Sequence, residues 1–214
     1  MNFDYGRKMG NRDVDTVYMY SYASPLGEIT LAGNEHALTG LWFVGQKYYA
    51  DTLKGSRKEK TDDCEEKTGF CIEKTESCRK NTGVSEKEPL PVFQKTADWL
   101  DIYFSGKEPD FTPEISLSGS PFQMAVWEIL KTIPYGQTMT YGEIAERIAQ
   151  QRGMTRMSAQ AVGGAVGRNP VSILVPCHRV VGTNGSLTGY AGGIVKKVEL
   201  LRLEGVDIRK FREC

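Results

Sequence analysis

Residues 51–88 run almost without apolar side chains; Lys, Glu, Asp, Thr and Ser dominate. A segment of that composition buries too little surface to offset the entropy of ordering itself. It is expected to be a mobile insertion, so any core must be assembled from the two parts that flank it. Ahead of it, Val17, Tyr18, Met19, Tyr20 and Tyr22 read as a strand and Ser24-Pro25-Leu26-Gly27 as a turn. Residues 28–32 and 38–44 read as two further strands, joined at Gly33-Asn34 with His36 in the turn. Behind it, Val92, Phe93, Ala97, Trp99, Leu100, Ile102, Tyr103 and Phe104 form the apolar face of a helix that starts near Pro91 and stops at Gly106.

From Ser120 the grammar is helical. Ser120-Pro121-Phe122-Gln123 combines an N-cap, a proline at the first helical position and a glutamine that closes a capping box. Phe122, Val126, Ile129, Leu130 and Ile133 continue that helix, and Ile133-Pro134-Tyr135-Gly136 stops it. Thr140-Tyr141-Gly142-Glu143 is a second capping box, opening a helix that faces Ile144, Ala145, Ile148 and Ala149 inward. Ser158 caps a third helix rich in small residues, and the pair suggests a helix-turn-helix. Residues 171–175 read as a short buried strand, and a last helix covers residues 193–203 before Gly205. The expected class is α+β. The expected parts are a flexible tail (1–15), an N-terminal domain (16–113), a linker (114–119), a mostly helical C-terminal domain (120–205) and a tail (206–214).

Charge is distributed unevenly. The chain holds 27 Lys and Arg against 27 Asp and Glu, yet residues 120–214 hold 12 against 7, an excess of five. That half has the sign a polyanion would favour, though an excess of this size is common. No apolar run approaches the roughly 18 residues of a membrane span. The polar start lacks the apolar stretch of a secretory signal, so a cytoplasmic protein is expected. Five cysteines, Cys64, Cys71, Cys78, Cys177 and Cys214, are an odd and uneven set, a poor disulfide framework. Cys64, Cys71 and Cys78 recur every seven residues, but no His or Asp cluster frames them at finger-like spacing. No metal and no cofactor is expected.

Pro176-Cys177-His178-Arg179-Val180-Val181 is the most informative stretch. The thiolate is the nucleophilic form of cysteine, so a thiol beside a base or a positive field is a candidate for activation. A Cys-His pair in isolation reads equally as a structural cysteine with a chance neighbour. The longer run from Asn169 through Pro170-Val171-Ser172-Ile173-Leu174-Val175 to Val181 resembles the active-site signature of the O6-alkylguanine-DNA alkyltransferases. Tyr135-Gly136, Thr140-Tyr141-Gly142, Ala161-Val162-Gly163 and Tyr190-Ala191-Gly192-Gly193 are in register with that family, from about Pro121 to Glu204. Ser24-Pro25-Leu26-Gly27 and Leu41-Trp42-Phe43 resemble its N-terminal domain. Only the N-terminal tail, the insertion and the last few residues fall outside.

The resemblance implies a ribonuclease-H-like antiparallel sheet domain followed by a winged helix-turn-helix-like domain. It implies direct DNA repair in which an alkyl group passes from O6 of a guanine to Cys177, once per molecule. His178 would remove the thiol proton through a water, and Glu204 would orient His178. Asn169 would bridge the recognition helix and the active-site segment, and Tyr141 would hydrogen-bond the extruded base. Val180, Tyr190, Ala191, Gly192 and Val166 would line the base pocket. Ser158, Ala159, Gln160, Gly163 and Thr183 would meet duplex DNA through its minor groove, with the damaged base swung out of the stack. The implied protein is a monomer with no membrane partner.

Two other readings are weaker. A lesion-binding protein that has lost the reaction commonly replaces the cysteine with Trp, whereas Cys177 is present. A thiol hydrolase would need an oxyanion hole and leaves the small-residue helix unexplained. One departure from the family stands out: Gln160 occupies the place of an arginine that fills the gap left by the extruded base. Gln160→Arg restores a charge there and is expected to tighten binding to duplex DNA. A gel-shift titration showing equal or weaker binding counts against that placement.

Overall fold

The computed structural model describes residues 17–56 and 89–213. The expected tail 1–15, the insertion beyond residue 56, and Cys64, Cys71, Cys78 and Cys214 lie outside the described residues. Strands β1 (Tyr18–Ser24), β2 (Gly27–Gly33) and β3 (Leu38–Phe43) form an antiparallel meander in that order. The first connection is the two-residue turn Pro25-Leu26, in register Ser24 with Gly27. The Leu26 N–H donates to Ser24 Oγ at 3.2 Å. In the second, Asn34 Oδ1 accepts from the backbone of His36 and Ala37, both at 2.9 Å, as asparagine does in such turns. A short 3-10 helix, Asp51–Ser56, follows.

Helix α1 (Pro91–Phe104) lies on this sheet. Tyr20 stacks on Phe93 and Tyr22 on Phe104, and the Tyr22 hydroxyl donates to Asp101 at 2.6 Å. The free edge of β3 is covered rather than left open, which removes an edge available to other strands. Leu38 exchanges backbone bonds with Glu114 and Ser116, and Leu41 does so with Pro170 and Ser172, all at 2.8–2.9 Å. The segment leading to Cys177 is thus stitched to the N-terminal sheet.

Helices α2 (Pro121–Lys131), α3 (Tyr141–Gln151) and α4 (Ala159–Gly167) pack together in the second half. Both capping boxes form, Ser120 with Gln123 and Thr140 with Glu143, and the Ser158 hydroxyl accepts from the Ala161 N–H. The Trp127 indole donates to the Ala165 carbonyl at 2.9 Å, locking α2 to α4. One apolar core runs from Leu31 and Leu41 in the sheet, through Leu100, Trp127 and Ile144, to Val166 and Cys177. Together with the sheet this is an α+β architecture. No helix among the described residues is long and apolar enough to cross a membrane.

Two expectations are corrected. Residues 171–175 are not a strand: Val171 makes a single bridge to Leu41, and the chain then turns back, with Ile173 at φ 69°. The apolar run is buried by curling around Asn169, whose side chain supplies the bonds a ladder would have supplied. Residues 206–213 are not a tail. They form a 3-10 turn, Ile208–Lys210, and strand β7 (Arg212–Glu213), paired in parallel with β6 (Ser186–Leu187). Val206, Ile208 and Phe211 pack on a second cluster of Val181, Leu187, Val198 and Leu201, the last two from α5 (Ile194–Leu203). Strand β4 (Met139–Thr140) pairs in parallel with β5 (Val180–Val181), which places α3 beside the cysteine segment.

Gly40 in β3 lies beneath the indole of Trp42, where an added Cβ would come within 1.9 Å of the ring. Trp42 is 1% exposed and has little room to retreat. Gly40→Ala is expected to cost about 1–3 kcal/mol through overpacking, read as a lower urea midpoint; an unchanged midpoint contradicts this.

Candidate active site

Cys177 opens the 3-10 turn Cys177–Arg179 and is buried in the core. Its position is set by Asn169, just after the C-cap of α4. Asn169 Nδ2 donates to Val175 O at 2.7 Å, Val171 O at 3.2 Å and Cys177 Sγ at 3.1 Å, while its Oδ1 accepts from the Val171 N–H at 3.0 Å. These bonds hold the turn through Ile173, a β-branched residue in the left-handed region, where strain of about 1–3 kcal/mol is usual. Burial pushes the Cys177 thiol above its ordinary value, although the Asn169 N–H and the Lys197 charge pull it down. The resting group is a thiol, and ionising it at neutral pH requires a base.

His178 is fully buried. Its Nε2 lies 2.7 Å from Glu204 Oε1. A carboxylate only accepts, so Nε2 carries the proton and Nδ1 keeps its lone pair. Nδ1 is buried and has no hydrogen-bond partner among the described residues. Burial lowers the pKa of His178, with Glu204 opposing that shift. A neutral imidazole with one nitrogen held and the other free is equipped to accept a proton.

Glu204, at the C-cap of α5, gathers the site. Its oxygens accept from His178 Nε2, from Arg179 Nε at 2.9 Å and a second Arg179 nitrogen at 3.0 Å, from the Tyr103 hydroxyl at 2.7 Å and from the Gly136 N–H at 3.2 Å. Burial alone would raise this carboxyl, but His178 and Arg179 outweigh it and hold it at about 2. Arg179 also donates to Ile133 O at 2.6 Å.

The other expected residues are distributed around this centre. The half-buried Tyr141 opens α3, and its hydroxyl donates to Gly189 O at 3.1 Å and Thr188 O at 3.3 Å. Burial, reinforced by the nearby Cys177, raises that hydroxyl to about 12. Val180 is buried in β5, and Val166 is buried on the inner face of α4. The Tyr190 ring meets His178 edge-on at 6.4 Å. Ala191 O accepts from the Lys47 N–H at 3.0 Å, so the N-terminal half also holds this loop. At Gly192 a Cβ would lie 2.7 Å from the Tyr190 ring and 3.2 Å from Phe43, so close packing requires glycine. Ser158, Ala159 and Gln160 are exposed at the start of α4, Gly163 is half-buried, and Thr183 is exposed in a separate 3-10 turn, Thr183–Gly185. No group of three or more metal-ligating side chains occurs among the described residues.

Three contributors escaped the sequence reading. Lys197 is fully buried and donates to Val180 O at 2.5 Å and Thr188 O at 2.7 Å. Burial brings it down to about 8, with Cys177 opposing that shift. Its signal was legible: a lysine on the same face of α5 as Ile194, Leu200 and Leu201. Arg179 sits inside the recognised motif but was assigned no role. Tyr103 reads as one more core aromatic of α1, and nothing in its spacing separates it from its neighbours.

Similarity to known proteins spans both halves. Residues 17–117 match the family model described as the 6-O-methylguanine DNA methyltransferase ribonuclease-like domain, and residues 121–206 match its DNA binding domain. The methylated-DNA–protein-cysteine methyltransferase of Methanosarcina acetivorans is 38% identical over 189 residues, covering 88% of this chain and 99% of that one. Its counterpart from Mycobacterium tuberculosis is 40% identical over 181 residues, covering 85% and 88%. The crystal structure of the M. tuberculosis O6-methylguanine methyltransferase superposes with a TM-score of 0.62 at 38% identity, covering 88% of this chain and 93% of that one. A structure of that organism's OGT in complex with DNA gives 0.62 at 36% identity, covering 90% and 98%.

The depressed Glu204 pKa ties stability to pH. Its contribution is present above the unfolded carboxyl value of about 4.3 and is lost as pH falls through about 2. Glu204→Gln is expected to cost about 3 kcal/mol at pH 7. Urea unfolding at a series of pH values should show the gap to wild type closing between about pH 5 and 2. A gap that does not vary with pH rules out a charged Glu204 as the stabilising species.

Proposed function

The chain belongs to the 6-O-methylguanine DNA methyltransferase family, and from that premise we propose that it repairs DNA by moving a methyl group from O6 of an alkylated guanine onto Cys177. The observation that carries this reading is a buried cysteine fixed by the Asn169 N–H, next in sequence to a neutral histidine whose Nδ1 has no partner among the described residues. In chemical class the protein is a methylated-DNA–[protein]-cysteine S-methyltransferase.

The thiol proton passes through a water to His178 Nδ1, and Glu204 stabilises the imidazolium that forms. The sulfur electron pair then forms a bond to the methyl carbon while the carbon–O6 bond breaks, leaving its electrons on the guanine. The base departs neutral, carrying in net the proton that the thiol lost. Tyr141, whose hydroxyl stays protonated far above neutral pH, donates a hydrogen bond to the departing ring. Val180, Tyr190, Ala191, Gly192 and Val166 enclose the base. The product is a thioether, which no group of the site can hydrolyse, so each molecule acts once and needs no cofactor.

The partner is duplex DNA, approached through its minor groove by the exposed side of α4. The composition of that side supports this. Adding a Cβ at Gly164 meets nothing within 4 Å, and at Gly163 only the Tyr141 ring at 3.8 Å. Glycine inside a helix costs about 1 kcal/mol relative to alanine, and packing among the described residues does not require it at Gly164. A close external surface does. Ser158, Ala159, Gln160, Gly163 and Thr183 are the residues assigned to that contact, with Gln160 at the gap left by the extruded base. The protein acts as a monomer in the cytoplasm.

Incubation with an oligonucleotide containing O6-methylguanine should add the mass of one methyl to Cys177 and then stop. Cys177→Ser should remain unmodified. Binding without a mass change, or repeated turnover, sinks the proposal.

A further inference from the structure

Tyr103 belongs to α1, in the N-terminal half, yet its hydroxyl ends at the Cys177-His178-Glu204 site. It donates to Glu204 Oε1 at 2.7 Å and lies 3.3 Å from His178 Nε2, and the residue is fully buried. Oε1 is the same oxygen that accepts from His178 Nε2 at 2.7 Å. We propose that Tyr103 is a positioning residue of this site: by occupying part of Glu204 Oε1, it sets how strongly that carboxylate stabilises protonated His178.

Packing accounts for the ring but not for the hydroxyl. Trp99 stacks on the ring at 5.2 Å, and Phe104, Tyr135 and His178 meet it edge-on at 5.5, 6.1 and 6.4 Å. A phenylalanine would keep all of these. The oxygen is explained only by its bond to Glu204, and a buried hydroxyl without a partner would be costly.

The direction of the effect follows from donor and acceptor roles. Nε2–H and the tyrosine O–H both point to Oε1, so the 3.3 Å approach between them is a proximity of two donors rather than a third bond. Oε1 also accepts from Arg179 Nη2 at 3.0 Å, and donors that share one anion divide its field. Removing the tyrosine proton leaves more of the Glu204 charge to His178 and favours the imidazolium. The other groups facing the pair are accounted for. Arg179 and Lys197 oppose protonation of His178 and are unaltered by the change. Tyr135 and Tyr190 are phenols with raised pKa values and stay neutral, and Cys177 rests as a thiol. In the wild type, Tyr103 therefore adds to burial, the larger cause, in disfavouring the protonated form of His178. The unprotonated form is the one the alkyl transfer consumes. The significance of this tuning rests on the transfer reaction proposed above, whereas the tuning itself does not.

The chain contains two histidines, His36 and His178, so 15N-imidazole NMR of the full chain resolves both. Wild type, Tyr103→Phe and a variant with 3-fluorotyrosine at position 103 are to be titrated. The fluorinated ring keeps the packing and makes the hydroxyl a stronger donor. The His178 midpoint should rise by about one pH unit in Tyr103→Phe and fall in the fluorotyrosine variant, with the His36 signals unchanged. In single-turnover methyl transfer, the acid limb of the rate should move up with the Tyr103→Phe midpoint. A purely structural role predicts lower thermal stability with no movement of either midpoint. No movement of His178, or movement in one direction in both variants, overturns the proposal. Failure of the transfer reading would show separately, as wild-type protein that gains no methyl.

Discussion

One buried carboxylate organises this protein. Glu204, at the end of α5, collects donors from three other places in the chain: α1, the turn at Gly136, and the Cys177–Arg179 turn through two residues. A charge this deep is tolerable only if its lone pairs are nearly all satisfied. Satisfying them forces those segments to meet. The requirement that makes the anion stable therefore also builds the site, with His178 held by one nitrogen and Arg179 locked against Ile133.

Asn169 does for the backbone what Glu204 does for the side chains. Its amide replaces the ladder bonds that an apolar run such as Val171 to Val175 would otherwise seek, its two N–H hydrogens being shared among the Val171 and Val175 carbonyls and the sulfur. A single donor of this kind cannot overcome burial, so the thiol stays protonated at rest. A buried, protonated nucleophile is protected from casual oxidation or alkylation. In the proposed reaction it is the proton acceptor His178, rather than a standing thiolate, that makes it reactive.

Much of the frame could be read from the residues alone. The two capping boxes, the N-cap at Ser158 and the meander of three strands are local patterns, and local patterns survive folding. What failed were segments whose neighbours are distant in sequence. Val171 to Val175 has the composition of a strand, and only the Asn169 side chain and the Leu41 edge decide that it turns. Residues 206–213 look like a tail until Val206, Ile208 and Phe211 find the cluster around Val181 and Leu187. At the site, Cys177 and His178 were legible as a pair and Glu204 only by resemblance. Tyr103 was invisible because its role depends on a hydroxyl meeting a carboxylate about a hundred residues away. Lys197 lay between these cases, a charge on an apolar face with no visible partner because both of its partners are backbone carbonyls.

The molecule separates residues whose identity its own fold demands from residues that the fold leaves free. Gly40, Gly192, Asn169 and Glu204 are of the first kind: each is fixed by an atom close by. Gly164 and Gln160 are of the second kind, since the space above Gly164 is open and Gln160 is exposed. Among the described residues nothing lies over Gly164, so on the proposed reading its small size serves a surface outside the chain. In that reading the positive excess of residues 120–214 suits a polyanion, and the small side chains of α4 suit a close approach. Neither feature would stand alone, since such an excess is common and small residues also serve internal packing. On the proposed reading the open space over Gly164 is the third, and it leaves room there for a closely approaching duplex.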